Sequence, residues 1–326
     1  MGVQKQRLDY LDFCKVFAIF LVTFAHCAQQ ISGSKFPDLL LSKDSFISIN
    51  MAVFMVASGF VMNIEKMKTT PTSEYIKEKA IRLLIPMTAW YLMMCIVSLH
   101  VPRFATYWSV YWYLGAMFVC LSTIKILTNF IHNIVVVALL SMTLLSCIPM
   151  ISFERSCYMI PFLWIGYVLR RIVDGITISV VVVLFCIYFI LYHYWGIDYS
   201  IYASPFHVWE ISSYSVFTLF FRLLIGVVGS VAVIVGAKKL ISYDAFKWMK
   251  WVAKYGPYTL MFYTMSFVMN ALLARLLWHI NVYINSPGIL DVVAIAVTAI
   301  MIVMMYYVQL LIKRNRWLRL LFMGEK

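Results

Sequence analysis

Apolar windows of roughly 20 residues recur from residue 11 to residue 312, each bounded by charge, Pro, Gly or Asn. A helix of that length spans the hydrocarbon core of a bilayer. With no water there to pair with backbone groups, a lipid-embedded segment has to satisfy its own hydrogen bonds, which favours helices. The windows fall at 11–30, 45–64, 81–99, 107–127, 131–151, 157–173, 176–195, 214–237, 256–278 and 289–312. They predict an all-α polytopic integral membrane protein with about ten transmembrane helices. The chain reads as a single transmembrane domain over residues 1–326, with 313–326 as a basic tail and no second soluble domain.

Charge gives the windows a direction. The net charge is +13, which in a soluble chain would point to nucleic acid. In a membrane chain, excess Lys and Arg marks cytoplasmic loops instead. With the N-terminus inside, the segments around Lys66, Lys77, Lys79, Lys238, Lys247, Lys313 and Arg314 all fall on the cytoplasmic side. Outer segments hold only Lys35, Lys43, Arg103 and Arg155, while Lys15, Arg222 and Arg275 lie within spans. Both termini are therefore expected in the cytoplasm, and no nucleic-acid partner is expected. Lys5 and Arg7 before an apolar run look like a signal peptide, but Asp12 and Lys15 interrupt that run, so it reads as a retained first helix. The seven cysteines form no CxxC pair and no metal-ligand spacing, so neither a metal site nor a disulfide framework is expected.

The first window, LDFCKVFAIFLVTFAHC, carries Asp12, Lys15 and His26. Ionisable groups in hydrocarbon cost several kcal/mol unless paired or functional. At about 100° per residue, Lys15 and His26 differ in azimuth by only about 20°, and Asp12 lies about 60° from Lys15. Thr23 and Gln30 fall on the same side. The polar groups thus form one stripe about 16 Å long between Lys15 and His26. The plain reading is an Asp12–Lys15 ion pair near the interface, with His26 hydrogen-bonded inside the bundle. The sharper reading is a functional cavity, and three ionisable groups on one stripe favour it.

Lys15 separated by ten residues from His26 resembles the first-helix signature of the membrane acyltransferase 3 family, and LDYLDFCKVFAIFLV is most similar to the branch related to fucose 4-O-acetylase. Other runs follow in order. NMAVFMVASGF resembles the second-helix pattern through Phe54, Ser58, Gly59 and Phe60. YIKEKAIRLLIP is similar to the basic segment entering the third helix through Lys79, Arg82, Leu83 and Pro86. YWYLGAMF resembles the Trp-Phe-Leu motif through Trp112, Tyr113 and Leu114, and PFLWIGYVL supplies the fixed Gly166. GPYTLMFYTMS follows the Gly-x-x-Ser-Leu-x-x-Tyr-x-x-His pattern through Gly256, Thr259, Leu260 and Tyr263. The chain departs from the pattern at Asn50 and Ala52, where the branch commonly has His and Pro, and at Ser266, which replaces the last His.

The resemblance, over about residues 7–312, implies a bacterial inner-membrane O-acyltransferase. It would move an acetyl group from cytosolic acetyl-CoA to a hydroxyl of a cell-envelope polysaccharide or lipid-linked sugar. Such a reaction needs a base for the hydroxyl, a site for the CoA phosphates and stabilisation of an oxyanion. His26 suits the base, with Lys15 and Asp12 beside it. No Gly-x-Ser-x-Gly elbow or reactive-Cys signature is present, so direct attack in a ternary complex is the simpler route and an acyl-His26 the other. Arg82 and Lys79, with Ser58, are the candidate CoA contacts, and Lys77 belongs to the same basic cluster. Trp112, Tyr113, Glu210, Arg222 and Arg275 are the candidate acceptor contacts, set against internal ion pairing or snorkelling for the two arginines. A transporter or flippase is the rival, but the inverted repeats and broken helices it calls for are not seen. Membrane lipids are the remaining expected partner.

Overall fold

The computed structural model describes residues 8–34, 45–146, 153–199, 212–281 and 283–325, and no strand occurs among them. Fourteen α-helices follow in chain order. They are α1 Asp9–Ser32, α2 Ser45–Phe60, α3 Ile64–Thr69, α4 Thr72–Ser98, α5 Phe104–Val110, α6 Trp112–Phe130 and α7 Ile134–Ser146. After these come α8 Phe153–Ile172, α9 Ile178–His193, α10 Ser213–Leu240, α11 Lys247–Ala253, α12 Thr259–Ile280, α13 Pro287–Lys313 and α14 Arg316–Met323. Each expected window overlaps a helix, the window at 107–127 overlaps two, and residues 147–151 of the window at 131–151 lie outside the described residues. Among the described residues, six stretches are long and apolar enough to cross a membrane: Asp9–Ser32, Thr72–Ser98, Trp112–Phe130, Ser213–Leu240, Asp244–Ile280 and Pro287–Lys313. The apolar parts of α2, α7 and α9 are shorter.

Two boundaries differ from the hydropathy windows for physical reasons. The window at 81–99 marks only the apolar part of α4. Behind Pro71 the run TSEYIKEKA holds Glu, Lys and Ala, good helix formers with no breaker, so the helix starts at Thr72. Its 27 residues span about 40 Å against a hydrocarbon core of about 30 Å, so the charged end projects beyond the apolar layer. The window at 107–127 is broken at Tyr111, where α5 gives way to α6. Tyr111 is fully buried and its hydroxyl donates to the Thr264 carbonyl 3.1 Å away, which pins the break against α12.

The bundle is organised around α2, which packs on α1, α8 and α10. Glycines permit its closest crossing. A Cβ at Gly59 would overlap the Leu163 carbonyl, and one at Gly166 would overlap the Val56 carbonyl. The Ser-Gly-Phe run of the second window and the fixed glycine of the sixth are thus two sides of one contact. Without a hydrophobic driving force between helices in lipid, close backbone approach through small residues is a main source of association. On the other side, α1 packs against α11, α12 and α13. Gly33 ends α1 in the left-handed region at φ 69°, with its N–H donating to the Gln30 carbonyl.

Candidate active site

The two ends of the polar stripe on α1 both face α12 and its leading turn. At the first end, Lys15 Nζ lies 3.1 Å from Asp12 Oδ1, with Asp12 buried and Lys15 half-buried. Asp12 packs directly on Gly256, where a Cβ would overlap its side chain. The glycine of the GPYTL run therefore makes room for the carboxylate that holds Lys15. Asp9 and Asp12 also occupy the first turn of α1, where a negative charge complements the helix dipole.

Lys15 opens onto a cavity of about 410 Å³ enclosed by α1, α2, α4, α6 and α12. Its mouth is polar and cationic. Lys66, Arg82, Asn63 and Glu78 there are exposed, and Lys79 is half-buried. Glu78 lies 3.5 Å from Lys79 Nζ, and that ammonium stands 5.0 Å from the centre of the Tyr75 ring. Three cations to one carboxylate, beside the Lys15–Asp12 pair, give this mouth a positive potential. Asn63 also caps α3, its Oδ1 accepting from the Lys66 N–H at 3.0 Å, which fixes the backbone that carries Lys66. The floor is aromatic and closed: Phe54, Tyr113 and Tyr263 are 7%, 4% and 1% exposed. Ser58 also lines the cavity, with Tyr113.

His26 lies at the other end of the stripe and does not line the cavity. Between Lys15 and His26 the same face of α1 presents Ala18, Ile19 and Val22, all buried and apolar. Rings bridge the interval. Tyr113 meets Tyr263 at 5.5 Å between centroids, Tyr263 meets Phe267 at 5.3 Å, and Phe267 meets the His26 imidazole at 5.1 Å. His26 Nδ1 is 3.0 Å from Gln29 Oε1. When Nδ1 carries the proton, the Gln29 amide oxygen accepts it and Nε2 keeps its lone pair.

Among the expected site residues, Lys15, Ser58, Lys79, Arg82 and Tyr113 thus share one cavity, with Asp12 just behind it. Others lie elsewhere. Trp112 is 4% exposed with its ring 6.2 Å from that of Tyr113, behind the wall rather than on it. Arg222 is buried, its Nε donating to the Tyr199 carbonyl at 2.7 Å and its guanidinium 5.4 Å from the Tyr158 ring. Arg275 is exposed and donates to the Val97 carbonyl at 2.5 Å, capping the end of α4. The two arginines therefore serve different elements. Glu210 lies outside the described residues, as does His207. Lys77 lines a different groove. Ser266, at the family's last His position, donates to the Tyr263 carbonyl of its own helix at 2.7 Å, and Asn50 Oδ1 accepts from the Met51 N–H. Lys66 and Gln29 are not among the residues that the sequence motifs single out. Lys66 looked like one more loop cation, while Gln29 carried a usable signal, since i,i+3 spacing puts it beside His26 on one helix.

A helical bundle with this many apolar spans and a cavity lined by cations defines a multi-pass membrane protein. The chain belongs to acyltransferase family 3: the model of that family's acyltransferase domain matches residues 8–308. It is therefore an acyltransferase, which decides between the enzyme and the transporter. No curated relative and no solved structure matches the chain.

Proposed function

We propose that the protein transfers an acetyl group from acetyl-CoA to a hydroxyl of a cell-envelope polysaccharide or lipid-linked sugar in the bacterial inner membrane. In this reading all ten apolar windows span the bilayer and the cavity mouth opens to the cytosol. The observation that carries it is the single cavity joining Lys15, Lys66, Lys79 and Arg82 at one end to Ser58 and Tyr113 at the other. The mouth cations bind the phosphates of the donor through charge-assisted hydrogen bonds. The thioester then enters toward the Tyr113 and Tyr263 floor, while the acceptor approaches from the His26 end.

In the transfer step, His26 Nε2 takes the proton of the sugar hydroxyl as its oxygen attacks the thioester carbonyl. The C–O bond forms, and the carbonyl electrons move onto an oxyanion. Collapse breaks the C–S bond, and the imidazolium returns its proton to the departing thiolate, so CoA leaves as the thiol. Gln29 keeps the imidazole in the tautomer that this sequence requires.

The test is purified protein in nanodiscs with acetyl-CoA and a panel of envelope glycans, with acetylated product followed by mass spectrometry. His26→Ala is expected to lower transfer by about 10²–10⁴-fold, the usual contribution of a positioned base, with acetyl-CoA binding retained. Full activity in that variant removes His26 as the base, and substrate movement with no acetylated product defeats the whole reading.

A further inference from the structure

Lys77 and Lys79 sit two residues apart on α4, and therefore about 200° apart around it. Lys79 and Arg82 face the cavity, whereas Lys77 begins a separate groove of about 740 Å³ on the opposite side of the helix. We propose that this groove, between α4 and α14, binds one anionic glycerophospholipid, its phosphate on Lys77 and one acyl chain along α4.

The lining is apolar apart from Lys77 at one end and Thr88 midway. Ile81, Leu84, Ile85 and Leu92 of α4 face Leu321 and Phe322 of α14. The Thr88 hydroxyl is engaged by the Leu84 carbonyl at 2.9 Å and Tyr107 at 3.0 Å, so it offers nothing to a ligand. Lys77 is exposed and, among the described residues, has no ion-pair partner; the neighbouring Glu78 is taken by Lys79, and Glu74 makes no ion pair with it. A lone cation at one end of a hydrocarbon groove complements an anionic headgroup carrying a chain.

Length fixes the class further. From Lys77 to Ile96 the groove follows about 28 Å of helix, room for one extended acyl chain with its headgroup at the Lys77 end. The groove wall is completed by α14, an amphipathic helix whose exposed apolar residues are Trp317 at 72%, Leu318 at 38% and Leu321 at 44%. Such a helix lies in the interface at headgroup level. It is fixed to α4 by Trp90 Nε1 donating to the Phe322 carbonyl at 3.0 Å and by their rings 4.9 Å apart. Gly324 ends it in the left-handed region at φ 65°, against the Arg82 backbone. A lipid seated here clasps α14 to the helix whose other face carries the cavity cations.

Native mass spectrometry of the purified full chain, titrated separately with phosphatidylglycerol and phosphatidylcholine, tests the site. We expect one saturable phosphatidylglycerol adduct that outlasts the phosphatidylcholine adduct. Lys77→Gln should weaken phosphatidylglycerol retention about fivefold, as expected for one cation at an anionic headgroup, down to the phosphatidylcholine level. Ile85→Trp, which fills the groove, should lose both adducts while elution volume and helical circular dichroism stay as in the wild type. If Ile85→Trp does not fold, the exposed Lys77→Gln carries the readout alone. Equal retention of the two lipids, or a Lys77→Gln variant that holds phosphatidylglycerol like the wild type, overturns the proposal and leaves ordinary annular lipid. A copurified adduct of polyprenyl phosphate mass that phosphatidylglycerol does not displace also overturns it.

Discussion

The two ends of the stripe on α1 are built differently. At Lys15 the helix meets an open cavity with a polar mouth, a paired carboxylate and three further cations. At His26 it meets aromatic packing and one amide. Cations near water keep their hydration and bind anions without strain, so a binding mouth can stay open. A base that must act on a hydroxyl beside a reactive thioester gains from exclusion of water, because bulk water is a competing acceptor. In the proposed reaction the donor meets charges already in place, whereas the route from the cavity to His26 passes the Tyr263 and Phe267 rings.

The mouth offers the larger test. Arg82→Ala should raise the KM for acetyl-CoA about 10–100-fold, the equivalent of one charge-assisted hydrogen bond, with a much smaller change in kcat. Arg82→Lys should recover part of that loss, since it restores charge but not the forked geometry. The defect should also shrink as ionic strength rises, because the wild-type mouth is then screened. Steady-state kinetics at two salt concentrations reads all three. An unchanged KM in Arg82→Ala would remove the division between a binding end and a chemical end.

Much of this division was legible in the sequence because helical periodicity is a strong constraint. The azimuths of Asp12, Lys15 and His26 followed from spacing alone, and the ion pair forms where that spacing puts it. Motif glycines were legible as letters but not as contacts. That Gly59 meets Leu163, Gly166 meets Val56 and Gly256 meets Asp12 depends on which helices cross, and no local pattern carries that. The basic cluster on α4 was read as one feature although Lys77 and Lys79 diverge around the helix; charge counting ignores azimuth. Trp112 and Tyr113 looked equivalent as neighbours, yet α6 starts at Trp112, so only Tyr113 reaches the cavity wall. Arg222 and Arg275 shared a depth in the hydropathy profile, but depth does not say which neighbour each meets.

The aromatic interval gives a smaller effect. Phe267→Ala removes the ring that links His26 to Tyr263, leaving a gap on the path between thioester and base. Acceptor-independent hydrolysis of acetyl-CoA should rise several-fold, because water gains access to a site it normally cannot enter. Free CoA release measured without glycan reads this directly, and retained glycan transfer shows that the fold persists. Hydrolysis at the wild-type level would mean that Phe267 only packs, and that the closed character of this end comes from elsewhere.

The smallest effect separates surface charge from site chemistry. Asp174, in the turn after α8, pairs with Lys238 of α10, and that ammonium also stands 5.7 Å from the Tyr10 ring at the start of α1. The hydrogen bond and charge of Lys238 hold the Asp174 carboxyl below the usual carboxylate range. A carboxyl depressed in the folded state stabilises the fold above its unfolded value of about 3.9, and the contribution fades as pH falls through the lower folded value. Between about pH 5 and pH 8 this pair therefore contributes a constant amount, and a small one because Asp174 is exposed. Asp174→Asn should lower the melting temperature slightly and uniformly over that interval, and leave the pH profile of acetyl transfer unchanged. A profile that moved with Asp174→Asn would place its controlling titration at the charged surface near the start of α1 rather than at His26, and so reverse the roles of the two ends.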